Sequence, residues 1–197
     1  MATAYTDSDL TRLCAELNTL IVHQEDIVMK LAELRRLTAS ESYIANNKEV
    51  RENNNLVKTC LLLEKMFPDL LDNSSALFEY TWLMINVSYL CSAQQANTLK
   101  SCVRWLAEAL PQFPEHCASA IVNFLAIRPY DFDLVRNSGL FEDEHTWTIC
   151  RNVPYSVDEI IANFRLFAFV SEAADFDRLD PFEKLVQDYA VCLLTHF

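Results

Sequence analysis

Residues 76–88 read ALFEYTWLMINVS, a nearly unbroken apolar run with one acid, Glu79, and one amide, Asn86, set inside it. The stretch Asp72-Asn73-Ser74-Ser75 supplies capping residues just before the run, which predicts a helix from about Ala76 to Leu90. Asparagine is a poor residue for such a helix, costing about 0.6 kcal/mol relative to alanine. The placement recurs, because MINVSYL, IVNFLAI and IANFRLF put Asn86, Asn123 and Asn163 inside apolar segments 37 and 40 residues apart. A period of that length is the signature of stacked helical repeats, and an irregular helical bundle is the alternative.

The neighbouring segments are helical as well. Leu10, Leu13, Cys14, Leu17, Leu20 and Ile21 recur at three- and four-residue steps after Asp7 and Ser8. A second stripe, Ile27, Val28, Leu31, Leu34 and Leu37, begins near Gln24. The cluster Asn53, Asn54, Asn55 is expected to be a turn ahead of a helix over Leu56 to Phe67, which Pro68 ends. Helices over about 94–110 and 115–127 are separated by Pro111 and Pro114, and Gly139 has the position of a C-terminal cap after a short segment from Pro129. Ser156 and Glu159 form a capping box before Ile160, Ile161, Phe164 and Phe167, and Asp180-Pro181 opens a last helix to about Thr195. About ten helices result.

Composition agrees with this pattern. A chain of 197 residues with one glycine and six prolines cannot make the tight turns of a sandwich or barrel of short strands. Its apolar share of 51% separates it from disordered chains. Sixteen basic against 28 acidic residues give a net charge of −12, which repels phosphate backbones and anionic lipid and favours basic partners. Seven cysteines, an odd number without CxxC pairs, read as buried thiols of a reducing compartment, cytosol or nucleus. No basic-then-apolar leader and no long apolar window is visible, so secretion and membrane spanning are not expected.

The residues quoted above resemble a known family. ALFEYTWLMINVS is similar to the third helix of an importin-α armadillo repeat, with Phe78, Glu79, Trp82 and Asn86 matching in place. Upstream, QEDIVMKLAELRRLTASE (24–41) resembles the third helix of the family's first repeat; downstream, YDFDLVRNSGL (130–140) resembles the short helix and glycine turn after its third. The resemblance covers roughly residues 20–141. It implies an all-α, right-handed armadillo-like superhelical solenoid. One domain over 1–197 would hold about four three-helix repeats, at about 7–40, 41–92, 93–128 and 129–174, with a capping helix at 176–197.

The resemblance further implies that third helices line a concave groove binding an extended basic peptide. Asparagine amides pair with the peptide main chain and indoles flank its lysine stems. Trp82 and Asn86 share one helix face, a carboxamide donates and accepts at once, and an indole face attracts cations for about 0.5–2 kcal/mol. Glu79, Trp82, Asn86, Asn123 and Asn163 are therefore the peptide-binding candidates. The chain departs from the family where Ser119 and Glu159 stand in the tryptophan positions, where Tyr89-Leu90 replace a serine-glycine turn and where Ile127 replaces an acid. No arginine-rich importin-β-binding segment lies in the first fifty residues, so classical cargo import is not expected.

Bland readings stand beside these. The same tryptophan and asparagines can be packing residues or satisfied buried amides, and the acidic clusters at 142–144 and 172–180 are solvated loops or a docking surface for a basic partner. His23, His116, His145 and His196 lack metal-ligand spacing, and no P-loop, GxGxxG or GxSxG is present, so no metal, cofactor or catalysis is expected. The expected function is a protein-binding adaptor or scaffold without nucleic-acid or membrane contact. The competing expectation is a structural subunit of an obligate complex, or a homodimer formed through a terminal repeat.

Overall fold

The computed structural model describes residues 7–40, 44, 54–126 and 160–166, together with 187, 190, 191 and 194. Every regular element among them is helical, so the protein is of the all-α class. The glycine cap, the 140–152 segment, the Ser156/Glu159 box and the start of the last helix lie outside the described residues.

Helix α1, Asp7–His23, buries Leu10, Leu13, Cys14, Leu17 and Ile21 along one stripe. On its outer face Arg12 pairs with Glu16 at 2.8 Å. The helix stops where Gln24 takes a left-handed conformation with φ 56°. Gln24 N–H then donates to the Ile21 carbonyl at 3.2 Å and Glu25 N–H to the Leu20 carbonyl at 3.0 Å, which satisfies the last carbonyls in the pattern glycine usually serves. Gln24 therefore ends one helix, where the sequence stripe had it opening the next. The Asp26 side chain accepts from Val28 N–H at 3.0 Å to start α2, Val28–Thr38, which buries Leu31, Ala32, Leu34, Leu37 and Thr38.

Helix α3, Asn54–Lys65, includes Asn54 and Asn55 in its first turn, in place of the turn expected there. A turn at Met66 leads into the short α4, Phe67–Asp72, whose Pro68 sits where a missing N–H costs nothing. Asn73 caps α5, Ser74–Leu90, by accepting from Ala76 N–H at 3.1 Å. The stretch expected as one helix over 94–110 is two. They are α6, Ala93–Leu99, capped by a Ser92/Gln95 box, and α7, Cys102–Ala109. Between them the backbone tightens, with Val103 N–H bonded to the Lys100 carbonyl and Arg104 N–H to the Ser101 carbonyl. Leu99 on one side of this break and Cys102, Val103 and Leu106 on the other all reach the interior. Helix α8, Pro114–Leu125, follows.

The packing has a serial order. Helices α2, α5 and α8 lie against one another in succession, α1 packs on α3, and α3 packs on α6 and α7. Contacts of α1 with α2 and of α7 with α5 and α8 join these two rows. Helix α5 is central and buries residues nearly all round, including Leu77, Tyr80, Leu83, Met84 and Val87. Phe67 fills the space beside it, edge-to-face with Tyr80 at 5.8 Å and 5.0 Å from the Trp105 ring. One continuous core runs from Leu10 to Leu125 and takes in Ala162 and Leu166.

Candidate functional site

Helix α5 sets Glu79, Trp82 and Asn86 at steps of three and four residues, so one stripe carries an acid, an indole and an amide. That stripe meets the last turn of α2, where a basic residue complements the negative end of the helix dipole. The Arg35 guanidinium sits there, its Nε hydrogen-bonded to the Glu79 carboxylate and its Cζ 4.1 Å from the centroid of the Trp82 ring. The Arg35 and Glu79 side chains are only 12% and 14% exposed, so solvent screens this pair far less than a surface bridge. Trp82 keeps 36% of its surface in solvent.

Asn86 works on the backbone of the same turn. Its Nδ2 donates to the Arg35 carbonyl at 3.2 Å and to Thr38 Oγ1 at 3.1 Å. The first of these adds to a carbonyl near the end of α2 that already accepts from Ala39 N–H at 3.0 Å and from Thr38 Oγ1 at 2.8 Å. Asn123 repeats the device one helix further on, its Nδ2 reaching from α8 to Ser88 Oγ of α5 at 3.3 Å. Asn86 and Asn123, anomalous within their own helices, thus bond to the preceding helix of the row. Asn163 is fully buried in the helical 160–166 stretch, so a bound peptide has no access to it.

On the α8 side the Trp82 patch continues as aromatic surface. Phe78 stands edge-to-face to Trp82 at 5.5 Å and to Phe113 at 5.6 Å, and the His116 ring lies 5.3 Å from Trp82 and 5.1 Å from Phe78. Thr81 Oγ1 lies 3.1 Å from the Phe78 carbonyl and 3.1 Å from His116 Nδ1, which ties the imidazole of α8 to α5. Burial pushes the His116 pKa below its ordinary value, opposed by the Glu115 charge, while Arg35 adds to the lowering.

Of the sequence candidates, the fold joins Glu79, Trp82 and Asn86 into one site, places Asn123 at the next seam and sends Asn163 to the interior. Sequence reasoning missed Arg35, Phe113 and His116 as members. The basic pair Arg35-Arg36 near a helix end was a usable signal for the first; nothing in the spacing marked the other two.

The described cysteines Cys14, Cys60, Cys91, Cys102 and Cys117 are thiols. Burial pushes Cys14 and Cys91 up to about 11 and Cys102 to about 12, and raises Cys60 and Cys117 as well. Such groups are poor nucleophiles at neutral pH. Among the described residues no cluster of His, Cys, Asp and Glu has the makings of a metal site, and no helix is long and apolar enough to cross a membrane. Compared with known proteins, the chain matches no family model, no curated protein and no solved structure.

Proposed function

We propose that the protein is a non-catalytic binding module of armadillo type, a cytoplasmic or nuclear adaptor whose helices α2, α5 and α8 hold an extended polypeptide by its basic side chains. The observation that carries this reading is the Trp82 site. A partly exposed indole there already holds a guanidinium at 4.1 Å beside a carboxylate of its own helix, which is the chemistry a partner's lysine or arginine needs. The serial packing of α2, α5 and α8 supports the repeat arrangement, and the net charge of −12 favours a basic partner. Asn86 and Asn123 use their amide nitrogens within the fold, tying α5 to α2 and α8 to α5, and in this reading their amide oxygens accept peptide N–H groups.

A labelled octapeptide alternating lysine and serine, followed by fluorescence anisotropy, tests the reading against a version with glutamine for lysine. The lysine peptide should bind and the glutamine peptide should not, and Trp82→Ala should weaken binding about 3- to 30-fold. Equal binding of both peptides, or an unaffected variant, removes the reading.

A structural-subunit reading is favoured by Val22 and Met29, 70% and 69% exposed on either side of the Gln24 turn. It predicts self-association lost in Met29→Glu, measured by light scattering over a range of concentrations.

A further inference from the structure

We propose that Arg35 is a built-in competitor for the Trp82 platform, so that a partner's cation gains the indole only when Arg35 swings away. This inference rests on the binding reading above and concerns how that site is regulated. The guanidinium occupies the place a bound cation would take, over the ring at 4.1 Å and paired with Glu79. Its backbone stays anchored throughout, because the Arg35 carbonyl is held by Asn86 and α2 is packed on α5. The side chain can therefore leave without the helix moving.

The exchange is close to balanced. A departing Arg35 surrenders one cation–π contact and one ion pair, and an arriving lysine or arginine restores both, so Glu79 is never left buried without a counter-charge. Thr38 Oγ1 donates to the Arg35 backbone carbonyl, which stays in place, and Phe78, Phe113 and His116 bond or stack with neighbours other than the Arg35 side chain, so the remainder of the patch keeps its form. The cost falls on apparent affinity, which is reduced by the fraction of molecules in which Arg35 is off the ring. Removing the competitor should raise affinity by about the strength of one such contact, roughly 3- to 30-fold.

This predicts an outcome opposite to that of a purely structural clamp. Arg35→Ala, checked for folding by circular dichroism, should bind the lysine octapeptide roughly 3- to 30-fold tighter than the wild type. A folded variant that binds equally or more weakly overturns the competition. A second measurement needs no altered chain beyond a lysine variant for assignment. The Arg35 Nε–H resonance of the wild type, protected by its bond to Glu79, should exchange with solvent at least about tenfold faster once peptide saturates the site. Peptide binding with that proton still protected overturns the competition and leaves the binding reading standing. Failure of both wild type and Arg35→Ala to bind the lysine peptide overturns both.

Discussion

Asn86 shows how a residue that is unfavourable by itself becomes favourable in context. Its helix penalty of about 0.6 kcal/mol is offset by two hydrogen bonds to α2, each worth about 0.5–1.5 kcal/mol net. Asn86→Ala should lower the unfolding free energy by about 1–2 kcal/mol and Asn123→Ala, with a single bond to a hydroxyl, by about half as much. Urea titration gives both values, and a reversed order would refute the assignment. His116 adds a pH term. Its folded pKa is depressed, so the unfolded chain binds the proton more readily. The associated stability is present above the ordinary histidine value of about 6.5 and is lost as pH falls through the folded value. Between pH 7.5 and 5.5 the wild-type urea midpoint should drop more than that of His116→Gln; parallel slopes would show that another group controls the change.

At the scale of the element, helix ends decide where the chain turns. Gln24 holds a left-handed conformation that costs a residue with a Cβ about 1 kcal/mol or more, yet its N–H and that of Glu25 close the end of α1. Gln24→Gly should keep both bonds and raise stability by about 0.5–1 kcal/mol, read as a higher melting temperature. A lower value would mean that the entropy gained by the unfolded chain outweighs the relief. The stripe Leu31, Leu34, Leu37 was legible from spacing alone, whereas the end of α1 was not, since periodicity ran on through residues whose conformation only the local hydrogen bonds reveal. The division of the 94–110 segment was hidden for a related reason. Lys100 and Ser101 are acceptable helix residues and keep right-handed helical angles, so nothing in the residue types marks the two-residue break between α6 and α7.

For the whole molecule, α5 is the element on which the others depend, lying between α2 and α8 and touching α4 and α7 as well. Leu83 at its middle is fully buried, and Leu83→Ala should cost about 2–5 kcal/mol in thermal or urea unfolding. A loss under about 1 kcal/mol would mean that the core collapses around the gap.

What the sequence determined by itself was the helical class, the positions of most helix stripes and the shared face of Glu79, Trp82 and Asn86. All three follow from local composition and a 3.6-residue period. The tertiary structure alone decided what that face meets. Arg35 lies 44 residues from Glu79 and His116 lies 35 from Thr81. Contacts at such separations depend on which helices pack together, and neither propensity nor periodicity carries that information. The same holds for Asn86 and Asn123: their placement was visible in the chain, but the carbonyl and hydroxyl groups that they bond belong to neighbouring helices.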